Sequence, residues 1–325
     1  MTGACGFVGC NLVEHLLEQG RSVVAVDLRA TWPPDAAAQF ASLPGRLTFV
    51  AADVLDASAL ARAFAAEPID GVIHAAAITP GPEREARDAE LIMQVNLLGT
   101  LRVLAMAREH GVRRLVYPSS ASVYGDAAFA ARPLDESRDA PVPNALYGIA
   151  KYAAEGSVIR ARSLWGMDAV AARVGAVFGP WEHDTGLRDT FSGPMLATRA
   201  MRRGEDVILT REGPVDWVYA LDAAAALVAL LDAPALDHPL YNVSSGRGWS
   251  LSDWCRALQA RLSGPRFQLT DDPERATLHL GPRDRAPLAV ARLHQVYQPR
   301  FGLEEALTHY LAWLERRSRA WLEAW

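Results

Sequence analysis

Short apolar runs alternate with stretches of helical spacing through the first half of the chain. Val23-Val24-Ala25-Val26 is a continuous apolar run closed by Asp27. Similar runs at 47–50, 70–74, 113–118 and 168–174 have the length and β-branched content of buried strands. Between them, apolar residues recur every three to four positions over 9–20, 57–66, 86–110 and 145–164, which predicts helices. Strands that alternate with helices in this way predict an α/β fold with a doubly wound parallel sheet covered on both faces. The second half is more irregular. Helices are predicted near 190–203, 221–232, 250–263 and 303–320, joined by short β pieces such as 206–209 and 240–243. Pro and Gly cluster at 32–34, 80–82 and 141–143 and read as loops. Two units follow: a domain over 1–172 and a smaller α/β lobe over 173–325 whose chain is expected to return to the main sheet.

Composition narrows the class. At 325 residues the chain is long enough to bury a substantial core, half of it is apolar, and its mixed charges sum to −5. No basic stripe suggests a nucleic-acid partner. The reading finds no apolar stretch near the ~18 residues of a membrane span, and no basic-then-apolar leader. A cytoplasmic location is the expectation. The three cysteines, Cys5, Cys10 and Cys255, show no metal-ligand spacing, so neither a metal site nor a disulfide framework is expected. Cys5 beside a helix start is either a redox-sensitive thiol or a small residue filling a tight loop.

The chemistry begins at the N-terminus. Thr2-Gly3-Ala4-Cys5-Gly6-Phe7-Val8-Gly9 is a glycine-rich loop that runs into a helix. Gly3, Gly6 and Gly9 let backbone approach a pyrophosphate, and the N–H groups at the helix start, around Phe7 and Val8, meet its charge. An acid at the end of the next strand, Asp27, can accept both adenosine ribose hydroxyls and repel a 2′-phosphate. NAD is therefore the expected cofactor over NADP, with Arg29 two residues on softening the preference. A dinucleotide fold requires a central strand just before the glycine loop, yet only Met1 and Thr2 precede Gly3. The expectation is that the natural start lies upstream.

Tyr147 and Lys151 stand four apart on a predicted helix, hence on one face. A phenol with pKa of about 10 is a poor base at neutral pH, and a nearby ammonium favours the phenolate. Ser120, at the end of an apolar run, can hold a substrate oxygen by hydrogen bond. The trio can take a hydroxyl proton while a hydride leaves the same carbon. The same spacing also arises by chance on a surface helix.

Taken together, the chain resembles the extended short-chain dehydrogenase/reductases of the NAD-dependent epimerase/dehydratase type over nearly its whole length. Besides the glycine loop, the resemblance rests on Asp53-Val54, His74-Ala75-Ala76-Ala77, Val95-Asn96-Leu97-Leu98-Gly99-Thr100, Pro118-Ser119-Ser120-Ala121-Ser122-Val123-Tyr124-Gly125, the Tyr147/Lys151 pair and Phe178-Gly179-Pro180. It implies a Rossmann-type NAD-binding domain with a substrate-binding lobe. It also implies that Asp53 and Val54 meet adenine, that Ala75 and Ala76 line the cofactor, and that Lys151 binds the nicotinamide ribose. Ser120 is then the catalytic hydroxyl, and Asn96 orders the site. Homodimers packed through two long helices, here 86–110 and 145–164, are common in the family.

Two departures bear on the substrate. Members acting on nucleotide sugars hold the diphosphate with an Asn where this chain has Ala176, and with an Arg where it has Val215. A buried diphosphate without cationic partners is costly. Substitutes are sought in Thr79, Ser122, His183, Thr185 and Arg188; Arg188 can hold a carboxylate with two hydrogen bonds. The sequence thus favours an NAD-dependent dehydrogenase of a small polyhydroxylated substrate, such as a sugar, sugar acid or hydroxy acid. The alternatives are a nucleotide-sugar epimerase with tightly bound NAD and, in another class, an NAD-binding sensor or scaffold without turnover.

Overall fold

The computed structural model describes residues 1–29 and 31–325. The first part of the chain runs α1 (Phe7–Glu18), β1 (Ser22–Asp27), α2 (Ala36–Ala41), β2 (Arg46–Ala51), α3 (Ala57–Ala65) and β3 (Gly71–Ile73). It continues through α4 (Pro82–Arg87), α5 (Ala89–Met93), α6 (Gly99–Glu109), β4 (Arg114–Ser120), α7 (Leu146–Trp165), β5 (Ala169–Val174) and β6 (Ala176–Phe178). Then follow α8 (Gly193–Arg202), β7 (Val207–Leu209), β8 (Pro214–Tyr219), α9 (Ala220–Asp232), β9 (Leu240–Val243), β10 (Gly248–Ser250), α10 (Leu251–Gln259), β11 (Phe267–Leu269), α11 (Leu303–Glu315) and α12 (Arg319–Ala324).

The main sheet is parallel. β1 pairs with β2, and β3, β4, β5 and β9 pair in that order. Between the two groups lies Thr2, bridged in parallel to Val26 on one side and His74 on the other. Met1 and Thr2 thus occupy the place of the expected central strand. The Met1 carbonyl accepts from the Val26 N–H at 2.8 Å, and its ammonium donates to the Val24 carbonyl at 2.7 Å.

Strand alternation fixes the two faces. Leu115 and Tyr117 of β4 with Ala169 and Ala171 of β5 pack against α3, α6 and α7, while Val116, Val170 and Ala172 point to the opposite core with α1 and α9. Residues 220–243 supply α9 and β9 to this layer although they follow position 172. The remainder forms a three-stranded sheet ordered β10-β8-β6 and a parallel pair β11-β7, with α8 and α10 beside them.

The expected helix over 86–110 is broken. It stops at Asp88, restarts, and passes through a π-helical turn at Gln94–Leu98 before α6. Asn96 sits in that turn, buried, with its side-chain amide bonded to both the N–H and the carbonyl of Ile78 at 2.9 Å. The wider turn lets a side chain from mid-helix reach across to the loop after β3. By length and composition alone, Ala89–Glu109 is apolar enough to cross a membrane, contrary to the sequence reading. Here it packs on the sheet and on α7.

α7 carries no capping side chain of its own; Glu85 of α4 accepts the Leu146 N–H instead, at 2.5 Å. Along its buried face, residues four apart are fastened to the end of β4. Lys151 Nζ donates to the Pro118 carbonyl at 2.7 Å, and Ser119 Oγ donates to Glu155 at 2.8 Å. Glu155 is also held by Arg173 of β5 through two hydrogen bonds of 2.7 and 3.0 Å, with both side chains about 3 % exposed or less. The Arg173 guanidinium lies 4.6 Å from the Tyr124 ring centre, and Tyr124 donates to Asn242 at 2.9 Å. Removing one partner of such a pair leaves a buried charge uncompensated. Arg173→Met is expected to cost about 3–5 kcal/mol in urea unfolding of the cofactor-free protein. A loss below about 1 kcal/mol would show that the pair is not a structural anchor.

Candidate active site

The carboxyl ends of the strands open onto two adjoining cavities. The larger, about 480 Å³, runs past Gly3, Gly6, Asp27, Asp53, Val54, Ala75 and Ala76. The smaller, about 370 Å³, is lined by Ser120, Tyr147, Lys151, Phe7, Val8, Gly9, Thr79 and Arg188. Gly3, Gly6, Ala75, Ala77, Thr185 and Leu187 border both, so the two form one continuous groove.

The larger cavity fits a dinucleotide by local geometry. Gly3 has φ +68°, and a Cβ there would lie 2.5 Å from the Ala76 nitrogen. A Cβ at Gly9 would lie 1.9 Å from the Gly3 carbonyl oxygen, so loop and helix can meet only through glycine. At Gly6 a Cβ would touch only that same carbonyl, at 3.3 Å, and would stand in the groove. α1 starts at Gly6 with no capping side chain and no acid in its first turn. Its leading N–H groups are therefore free to take an anion. Asp27 accepts the Cys5 and Leu28 N–H groups at 2.9 and 2.8 Å, and burial raises its pKa above the usual carboxylate range. Burial, with Asp27 beside it, pushes the Cys5 thiol up to about 12, which favours the small residue filling a tight loop over the redox-sensitive thiol.

At the smaller cavity the electrostatics differ from the expectation. Burial pushes the Tyr147 phenol above its ordinary value, and the groups that favour its anion are the Ser120 hydroxyl, Arg188 and the Thr79 hydroxyl. Lys151 is not among them. Its ammonium is bonded to Pro118 and lies 6.0 Å from the Tyr147 ring centre. Burial drops Lys151 to about 7, with Glu155 pulling the other way.

The remaining candidates separate. Ser122 lines neither cavity; it donates to Ser120 Oγ at 2.8 Å from behind. Asn96 also lines neither, and acts through Ile78 on the Thr79 loop. His183 faces the larger cavity rather than the smaller, with Nδ1 at 2.7 Å from the Trp181 carbonyl. Thr185 borders both, and its hydroxyl accepts the Leu187 N–H at 3.2 Å.

A feature the sequence did not reveal is the strap Glu182–Thr190, which crosses the groove. It leaves a strained turn: Trp181 has φ +63°, unusual for an aromatic residue, and is fully buried. The indole donates to Glu14 of α1 at 2.6 Å, and Asn11 of α1 donates to the Pro180 carbonyl at 2.8 Å. Farther along, the strap pairs with the loop after β3, Thr79 donating its N–H to Leu187 and accepting that of Asp189. Arg84 closes the latch with two hydrogen bonds to Asp189, at 2.7 and 2.9 Å. Trp321 and Trp325 border the same cavity, so the aromatic tail both packs the core and walls the groove.

Comparison with known proteins places this architecture. The model of the NAD-dependent epimerase/dehydratase family matches residues 1–244. A UDP-glucose 4-epimerase from Mycolicibacterium smegmatis is 30% identical over 98% of this chain and 99% of its own, and one from Mus musculus is 28% identical over 82% of each. Among solved structures, the UDP-glucose 4-epimerase of Thermus thermophilus in complex with NAD superposes with a TM-score of 0.77 at 25% identity, covering 97% of this chain and 98% of that one. The fold is the Rossmann-type α/β arrangement of these neighbours, and the cofactor is NAD. The chain is an enzyme that belongs to the NAD-dependent epimerase/dehydratase family.

Proposed function

We propose that the enzyme is a nucleotide-sugar epimerase that keeps its NAD between turnovers. The observation that carries this reading is the strap. Latched at Arg84–Asp189 and rooted in α1, it roofs the groove in which the cofactor's phosphates would sit. The relatives named above support this reading over the dehydrogenase that the sequence put first. A sensor without turnover falls away with family membership.

Gly3, Gly6, Phe7, Val8 and Gly9 would cradle the pyrophosphate, Asp27 the adenosine ribose, Asp53 and Val54 the adenine, and Ala75 and Ala76 the middle of the cofactor. When bound, the nicotinamide supplies a hydride acceptor and, in reverse, a donor. Once ionised with the help of Ser120, Arg188 and Thr79, Tyr147 would take the substrate hydroxyl proton as that hydride leaves and return it when the carbon is reduced on its other face. Ser120 and Thr79 hold the reacting oxygen, and Ser122 sets the Ser120 hydroxyl from behind. Lys151 orients the ribose. Asn96 is a positioning residue for the loop that carries Thr79.

A second reading, oxidation of a small polyhydroxylated substrate with release of reduced cofactor, is favoured by one observation. Ala176 lines the substrate cavity and Val215 stands on β8, so both family diphosphate positions are apolar. In either case the assembly proposed is a cytoplasmic homodimer with the substrate cavity at the junction of the 1–172 and 173–325 units. Leu91, Leu98, Leu101, Ile149 and Tyr152, all on the two helical runs expected to pack together, are 38–45 % exposed.

Four outcomes are expected. Protein purified without added cofactor carries bound NAD and converts UDP-hexoses to their epimers with no net absorbance at 340 nm. Steady growth of that absorbance with a free sugar or sugar acid would instead favour the dehydrogenase. Tyr147→Phe lowers turnover about 10²–10⁴-fold while retaining NAD; undiminished turnover removes the assigned base. Lys151 offers a pH signature in the cofactor-free protein. Its folded value of about 7 lies below the ordinary 10.5. Between these values the unfolded chain holds a proton that the folded protein has released, so folding strengthens as pH rises. Relative to Lys151→Met, wild type is expected to gain up to about 1.4 kcal/mol per pH unit above 7; a pH-independent difference would contradict a buried, depressed lysine. Finally, light scattering should report a dimer that Leu98→Glu dissociates; a wild-type monomer ends that proposal.

A further inference from the structure

The substrate cavity has an unusual charge balance. Among the described residues lining it, Lys151 and Arg188 are cationic and none is acidic. Lys151 spends a donor on the Pro118 carbonyl. Arg188 is held along one side: Nε donates to the Thr190 carbonyl at 2.7 Å and Nη2 to Glu182 at 2.9 Å. Its guanidinium lies 4.8 Å from the ring centre of Phe7, the first residue of α1. The Nη1 end has no hydrogen-bond partner among the described residues, and the side chain is 21 % exposed.

Glu182 explains the orientation. It is fully buried, and it accepts the Ser192 N–H at 2.7 Å and the Ser192 hydroxyl at 2.6 Å in addition to Arg188. A carboxylate so enclosed fixes the inner edge of the guanidinium and leaves the outer edge, Nη1 with the second Nη2 hydrogen, as a fork. Asp189, the neighbouring acid, is committed to Arg84 on the other side of the strap and does not neutralise the fork.

We propose that Arg188 is an oxyanion receptor for the substrate, binding a carboxylate or phosphate group that the substrate carries near the carbon addressed by Tyr147 and Ser120. The inference rests on the sugar-type reaction proposed above and assigns the group that meets the anionic part of its substrate. It also gives a physical answer to Ala176 and Val215: the cation is supplied by the strap and not by the two family positions. Glu182 is a positioning residue for Arg188. A guanidinium aimed into a cavity without acids raises affinity for an anion and leaves a neutral ligand nearly indifferent.

The test is equilibrium binding by tryptophan fluorescence, Trp217 being in the cavity wall. The NAD-saturated protein is titrated with UDP, with galacturonate and with neutral galactose. Wild type is expected to bind UDP or galacturonate with an affinity that falls as salt rises. Arg188→Met should weaken that ligand roughly 10- to 100-fold, and Arg188→Lys by less. Galactose binding and NAD retention should not change. Dependence with UDP only assigns the phosphate of a nucleotide, and with galacturonate only a carboxylate. Equal loss for neutral and anionic ligands, or no loss, overturns the receptor. Loss of NAD in both variants also overturns it, by showing that Arg188 serves the strap alone. Arg188-dependent anion binding without turnover of any sugar would keep the receptor and reject the reaction.

Discussion

The site depends on how α7 is fastened to the end of β4. Tyr147, Lys151 and Glu155 follow one another at four-residue intervals, and the latter two bond to Pro118 and Ser119, the residues just before Ser120. A shift of one helical residue would turn this row off the strand by about 100° and remove every contact at once. Arg173 makes such a shift costly, because it locks Glu155 from the neighbouring strand in a buried environment where an unpaired charge is not tolerated. The placement of Tyr147 and Ser120 therefore depends on an ion pair that lines neither cavity.

What the sequence made legible was local. The glycine loop, the acid closing β1 and the strand–helix alternation each lie within a short window, and periodicity reports them directly. The spacing of Tyr147 and Lys151 is likewise contained in one helix. Glu155–Arg173 was not visible, because its partners sit on different elements whose registration is a property of the packed sheet. The same holds for Glu85, which caps α7 from 61 residues away. The break at Asp88 and the π turn around Asn96 left the apolar spacing of 86–110 intact, so periodicity reported one helix where there are several segments. The strap was hidden for a different reason. Its sequence, polar with a glycine, reads as any exposed loop, and only the buried, strained Trp181 directs it back over the groove.

The electrostatics of Tyr147 show why residue types alone do not fix a pKa. A lysine four residues away suggested a lowered phenol, but distance and orientation decide, and the Lys151 ammonium is turned to a backbone carbonyl. Burial then dominates. It raises the phenol above its ordinary value, with Ser120, Arg188 and Thr79 as the groups that ease its ionisation. Two of those three are on, or paired with, the strap. The Tyr147 phenol is thus eased toward its anion by the strap and its partners rather than by its helical neighbour.

α1 joins these consequences. Its uncapped N-terminus opens onto both cavities, its Phe7 ring lies against the Arg188 guanidinium, and its Asn11 and Glu14 hold the turn from which the strap departs. One helix of twelve residues therefore supports the mouth of the larger cavity, the cation of the smaller one and the root of the strap that borders both. Any displacement of α1 must move all three, since Gly9 packs against Gly3 with no room for even a methyl group. The glycine loop, the Arg188 side chain and the root of the strap are therefore tied to one rigid element.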